Sequence, residues 1–296
     1  MNSMLNPFLI FFLALFGGDS EKVDDDLKYL GQTPPSLTPE LFAPGVISTK
    51  EELEYGSVFN EEATDFFYGA RRNGRIDIQY SKLMGNTWST PEAILPNEKW
   101  GYNDPFLSPD EKRLYFISKR SSDGLSEEFD HDIWYVERTE EGWSDPINAG
   151  PSINSDGSEY YISFTNDGSM YFASNRESLT NFDIYSSKNV NGEFQPAIPL
   201  GNSINSEHYE ADVFVDPDES YIIFCAKRSE GLGVGDLYIS FKNSDGTWSQ
   251  AKNMGEPINS GYHELCPFVS KDGKYLFYTS NNDIYWVDAK IIEQFR

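Results

Sequence analysis

Four glutamates hold one relative position in a chain that repeats itself: Glu54, Glu159, Glu210 and Glu264, with Tyr102 at the fifth place. Carboxylates gathered into a ring can hold a cation such as calcium, or divide into an acid and a base. They can also be structural, each accepting backbone hydrogen bonds from a neighbouring unit. Repetition favours the structural role. Catalysis needs carboxylates in unlike surroundings, and near-identical repeats supply like ones.

Departures from the repeat are the better guide to binding. The second copy replaces its connector with Trp100-Gly101-Tyr102-Asn103-Asp104, and its Ser121–His131 loop has 11 residues where the others have 4, 6, 7 and 0. The fourth and fifth copies place His208-Tyr209 and Tyr262-His263 at their connectors. Aromatic faces beside carboxylates suit a carbohydrate or a peptide. Trp100, Tyr102, Asp104, His131, His208, Tyr209, Tyr262 and His263 are therefore the expected ligand-binding residues. The three histidines lack any short spacing, so no metal site is assigned to them. No Gly-x-Ser-x-Gly elbow, His-Glu-x-x-His pair or helix-opening phosphate loop occurs.

The elements that must position these residues follow from the period. Anchors at Asn60, Ser108, Thr165, Asp216 and Ser270 precede turns and recur at intervals of 48, 57, 51 and 54 residues. Each copy continues with a strand ending in Tyr68, Phe116, Phe172, Phe224 or Tyr278. Next comes Arg72, Arg120, Arg176 or Arg228 (Asn282 in the last copy), and then Asp77, Asp132, Asp183, Asp236 or Asp283 opening a third strand. A Gly-containing turn leads on to Trp88, Trp143, Phe194 or Trp248. Units of four short strands at this period predict an all-β fold, a five-bladed β-propeller with four-stranded blades. Strand alternation puts the anchor turns on one face, and the connectors and Arg-to-Asp loops on the other. The Arg and the strand-leading Asp are expected to pair within a blade, and the turn aspartates Asp110, Asp167, Asp218 and Asp272 to close their own turns.

The runs Ser108–Arg120, Asn166–Arg176 followed by Asp183–Tyr185, and Ser270–Tyr285 resemble the TolB-type propeller repeat, over nearly all of residues 37–286. The resemblance implies the fold and little of the function, since such repeats serve binding proteins, peptidases and lyases alike. TolB itself has an additional amino-terminal domain and six blades, so a Tol-system role does not carry over.

Closure of the ring is written at the two ends. The 13-residue segments Trp143–Ser155, Phe194–Ser206 and Trp248–Ser260 end in Ile-Asn-Ser, whereas the fifth copy stops at Arg296 without one. Leu37–Thr49, also 13 residues, ends in Ile-Ser-Thr and leads into the first copy. The amino end is thus predicted to supply the last blade's outer strand.

A chain of 296 residues with 39% hydrophobic content can bury a large core. Its net charge of −25 disfavours nucleic acid and anionic membrane as partners. The apolar run Met4–Phe16 is too short to span a bilayer, so residues 1–18 read as a signal peptide with no transmembrane segment in the mature chain. Residues 19–36 read as a flexible lead-in and 37–296 as one propeller domain. Export implies a periplasmic or secreted protein, in which Cys225 and Cys266 on adjacent blades either pair as a disulfide or, as the favoured reading, stay buried and unpaired. The function favoured is a non-enzymatic binding or scaffolding module for a protein, peptide or glycan on the connector face. The alternative is a carbohydrate-active enzyme using the four glutamates. No cofactor is indicated beyond a calcium ion at that ring.

Overall fold

The computed structural model describes residues 23–50, 52–72, 74–95, 99–121 and 127–296, the side chains of 127–129 excepted. Five antiparallel sheets follow one another along the chain, each built from an inner, second, third and outer strand. The inner strands are Leu53–Phe59, Asn103–Leu107, Glu159–Phe164, Tyr209–Val215 and Leu265–Val269. The second strands are Asp65–Arg72, Arg113–Arg120, Met170–Ser174, Tyr221–Lys227 and Tyr275–Ser280. This is the five-bladed propeller that the period predicts.

Second strands such as Tyr221–Lys227 are buried at six consecutive positions rather than at alternate ones. Each blade is packed between two others, so both faces of its middle strands leave water, and an unbroken apolar run is the result. The axis is closed near the anchor turns by one residue from each inner strand: Val58, Phe106, Phe164, Phe214 and Phe268. Ring centroids of Phe106–Phe268 and Phe214–Phe268 are 5.9 and 6.1 Å apart. A cavity of about 310 Å³ lies against this plug on the anchor-turn face.

Turns and connectors use side chains in place of missing backbone partners. Asp110, Asp167 and Asp272 each accept from the anchor hydroxyl and from the backbone N–H two residues on. In blade 4 it is Asp216 rather than Asp218 that closes the turn, accepting from Ser220 N and Oγ. Asn154, Asn205 and Asn259 of the Ile-Asn-Ser segments accept from the backbone N–H of Ile133, Ile184 and Leu237 and donate to the carbonyls of the same residues. Each amide thereby continues the pairing of a third strand whose outer strand is only two residues long.

Ring closure is as the sequence predicts. Glu40–Leu41 pairs with Trp286 and Tyr285, and Phe42 N donates to Ile284 O at 2.8 Å. Phe42 is fully buried, with centroids 5.1 to 5.9 Å from Phe59, Phe66, Phe277 and Trp286.

The lead-in differs from its expectation where it is described. Tyr29 is buried, packs edge-on against Phe59 and Tyr275, and donates to Asp272 Oδ1 at 2.8 Å. Leu27 O accepts from Trp88 Nε1 at 2.8 Å. Charge and proline around residues 24–35 suggest a solvated segment, but one aromatic filling the seam between blades 5 and 1 fixes it. Residues 1–22, with the signal-peptide reading, lie outside the described residues.

Candidate functional site

Glu54, Glu159, Glu210 and Glu264 are all fully buried. Glu159, Glu210 and Glu264 each accept from the backbone N–H and the hydroxyl of the serine four residues earlier. Ser174 Oγ and Arg176 also donate to Glu159, Ser280 Oγ to Glu264, and Arg228 to Glu210. These carboxylates fasten a connector to the blade it enters. In blades 3 and 4 the repeated Arg therefore pairs with this Glu and not, as expected, with the strand-leading Asp, and in blade 1 Arg72 pairs with Glu52. Asp132 and Asp236 instead accept from Asn148 and Asn253 of the outer strand. Glu54 departs from the set: it accepts from Thr49 Oγ1, its Oε2 has no partner among the described residues, and burial pushes its pKa up to about 7.

Two residues beyond the Glu position every inner strand breaks register. The residue there has a left-handed backbone in all five blades: Gly56, Asp104, Tyr161, Asp212 and Cys266, with φ between 46° and 53°. A residue with a Cβ costs roughly 1–2 kcal/mol in that region, and a bulky one is a rare outlier. Glycine would serve all five places, yet four blades present a side chain at the connector-face end of the axis: two aspartates, a tyrosine and a cysteine. Tyr161 Oη crosses from blade 3 to donate to Pro267 O in blade 5 at 2.9 Å. Asp104 and Asp212 flank Tyr161 in the ring, from blades 2 and 4, and a Cβ on Gly56 would lie 3.3 Å from Asp104 Oδ1.

Both carboxyls are buried. Burial raises Asp212 to about 7, opposed by a hydrogen bond from the backbone of Cys266. Burial, and then the charge of Asp212, raises Asp104 well above the carboxylate range. A raised folded pKa means that the native state holds a proton the unfolded chain has lost, so Asp212 lowers stability as pH climbs from about 4 to about 7. The full effect is on the order of 4 kcal/mol. Asp212→Asn, which tolerates a left-handed backbone, is expected to be more stable than wild type at pH 8 and no more stable at pH 4. Urea unfolding midpoints at both pH values check this, and parallel curves for the two proteins would refute it.

Around this mouth runs a chain of aromatic rings. His131–Tyr160, Tyr160–Phe182 and Phe182–Tyr209 have centroids 5.0, 5.0 and 5.8 Å apart. Tyr160 Oη and His131 Nδ1 are 2.9 Å apart, and burial with the charge of Lys119 lowers His131 to about 4. His263 Nε2 lies 3.3 Å from the buried thiol of Cys225, and both cysteines are free. Tyr262 is 55% exposed, and His208 is partly exposed. The structure thus brings Asp104, His131 and Tyr209 towards the axis and leaves His208 and Tyr262 further out on their connectors.

Two expected ligand residues are not in water. Trp100 and Tyr102 are 4% and 2% exposed, Tyr102 packing edge-on against Phe116 at 5.0 Å. A connector that breaks the repeat does so here partly to fill core. Asp212, Tyr160 and Phe182 went unnoticed in the sequence. The first two lie two residues and one residue after a repeated Glu, so comparing that offset across copies would have found them. Among the described residues no group of three or more His, Cys, Asp or Glu is placed to hold a metal.

No family model and no curated protein matches the chain. Solved structures match in fold. A TolB-type protein of Agrobacterium tumefaciens is 19% identical, over 77% of this chain and 70% of its own, with a TM-score of 0.51. A thermostable family-43 glycoside hydrolase is 14% identical, over 81% and 91%, with a TM-score of 0.55. The α-L-arabinofuranosidase of Podospora anserina is 10% identical, over 86% and 96%, with a TM-score of 0.53. The likeness is one of fold, and the fold is that of a TolB-like propeller. Among the described residues no helix is long and apolar enough to cross a membrane.

Proposed function

We propose that the protein is an exported, non-enzymatic binding propeller that takes a protein, peptide or glycan on its connector face, over the axial mouth between Asp104 and Asp212. One observation carries this reading: four of the five equivalent left-handed positions bear a side chain, Asp, Tyr, Asp and Cys in turn, at a backbone cost that folding alone does not require. An asymmetric ligand needs such asymmetry, whereas the ring needs only regularity. Near neutral pH a buried carboxyl that keeps its proton donates a hydrogen bond as well as accepting one. That suits hydroxyl and amide groups presented beside Tyr160 and Tyr209.

A glycan array and a peptide array, probed with the full chain, test the reading. Saturable binding is expected, weakened about tenfold or more by Tyr209→Ala and by Asp212→Asn, a loss of roughly 1.4 kcal/mol or more. Contacts mapped only to the anchor-turn face around Asp110 and Asp218 would overturn it. A second reading, hydrolysis of a bound glycan, is favoured by two buried carboxyls close enough that the charge of Asp212 raises Asp104. It uses those two carboxyls in place of the four glutamates, whose hydrogen bonds are spent on the connectors. Turnover of an array hit that Asp212→Asn abolishes, with the hit still bound, would establish hydrolysis in place of binding alone.

A further inference from the structure

Away from the axial mouth, the connector face carries an apolar strip between blades 4 and 5. Gly231-Leu232-Gly233-Val234-Gly235 alternates glycine with aliphatic residues, and the two sets take opposite faces. The glycines turn inward. A Cβ on Gly233 would overlap the Tyr262 carbonyl, and one on Gly235 would lie 2.6 Å from the His263 ring. Leu232 and Val234 point outward, 54% and 57% exposed. Gly235 and His263 form a parallel bridge, so Val234 and Tyr262, one residue back in each segment, share a face. Tyr262, also more than half exposed, extends the strip into a ridge of three side chains. Its backbone is tied down. Gly231 N donates to Arg228 O, Leu232 N and Gly233 N to the Asp236 carboxylate, and Val234 N to Tyr262 O, while Gly235 O accepts from Glu264 N. A single exposed leucine says little, but three large side chains held side by side in water exceed what the blade requires. Close packing here asks only for the glycines, and small polar residues between them would serve.

We propose that this ridge docks a cationic peptide segment of a protein partner, whose apolar side chains cover Leu232, Val234 and Tyr262. The proposal rests on the connector-face reading and names the partner's class. The backbone N–H groups of residues 231–234 are already used, and aliphatic side chains make no hydrogen bonds. A glycan's hydroxyls would therefore lose water there without replacement, whereas the apolar side chains of a peptide gain by leaving it. Charge sets the rest. Connectors and Arg-to-Asp loops of blades 3 to 5 expose Asp156, Glu177, Glu207 and Glu230 and, of cations, Lys227. Arg176 and Arg228 are turned to the buried Glu159 and Glu210. A basic segment is attracted to that border, and a second copy of so acidic a chain, or an anionic membrane, is repelled. Because the ridge is already ordered, docking costs it little conformational entropy.

The test titrates the full chain with fluorescent nonapeptides that alternate leucine or phenylalanine with serine, in one series flanked by lysine and in another by glutamate. Fluorescence anisotropy should show saturable binding of the lysine series, about tenfold or more tighter than the glutamate series and weakening as salt rises. The double variant Leu232→Ser with Val234→Ser, and the single variant Tyr262→Ser, should each weaken it about tenfold at an unchanged melting temperature, since only exposed side chains are altered. Val190→Ser, on the anchor-turn face and 48% exposed, should leave binding unchanged. No saturable binding by either series, equal affinity for both, or binding that survives the ridge substitutions overturns the proposal. So does a glycan-array hit that the ridge substitutions abolish, which would assign the ridge to a carbohydrate. A connector-face ligand lost in Tyr209→Ala and kept by the ridge variants sinks the ridge and spares the binding reading. Absence of any connector-face ligand sinks both.

Discussion

A chain that begins at Lys50 is expected to lose its cooperative unfolding transition and to aggregate. The missing segment carries Glu40–Leu41, the strand that covers Asp283–Asp288, so blade 5 would present that strand's N–H and C=O groups as an open edge. It also carries Phe42, Ile47 and Tyr29, all buried. Truncating a buried aromatic costs roughly 3–5 kcal/mol and a buried Ile roughly 2–5. Losing all three approaches the whole stability of an ordinary domain, about 5–15 kcal/mol. Tyr29→Ala in the full chain isolates one part of this. It should lower the urea midpoint by about 3 kcal/mol equivalent without changing the number of transitions. Thermal melts with size-exclusion chromatography read the deletion. An unchanged melting temperature for residues 50–296 would show that the seam closes without its strand.

The blade count, the closure and the identity of the two faces were legible because they are properties of a period, and a period survives substitution at any one place. Asp110 and Asp272 were legible for a related reason, since an Asp two residues after a hydroxyl forms its turn within its own neighbourhood. What escaped was set by partners distant along the chain. Arg176 and Arg228 were matched with the Asp that follows them, but the register of the first two strands sets Glu159 opposite Ser174 and Glu210 opposite Ala226, within reach of the guanidinium. Trp100 and Tyr102 looked costly in water because nothing local showed what covers them. Asp212 was hidden inside an apolar inner strand, where the register break alone turns it to the axis.

The same register predicts unequal costs for equivalent arginines, with Arg228→Met the more damaging. Glu210 receives Ser206 N, Ser206 Oγ and the Arg228 guanidinium, and faces Ala226, which has nothing to donate. Glu159 has the matching serine and arginine contacts, and gains Ser174 Oγ at 2.7 Å. Blade 5 shows how far the serine can substitute: Asn282 stands where the others have Arg, and Ser280 Oγ meets Glu264 at 2.7 Å. Breaking a buried pair by removing one partner typically costs about 3–5 kcal/mol, because the other charge is left without compensation. Arg228 lies over Tyr238 and donates to Ile204 O, and Arg176 does the same with Tyr185 and Ile153 O, so the difference between them rests on Ser174. Arg228→Met is accordingly expected near 3–5 kcal/mol and Arg176→Met at roughly half of that. Adding Ala226→Ser to Arg228→Met should recover about 1 kcal/mol, the net worth of one hydrogen bond to a buried carboxylate. Urea unfolding of the three variants decides it. Equal losses for the two arginines, or no recovery from the added serine, would mean that the connector is held by its isoleucine and asparagine and that the glutamate contributes little.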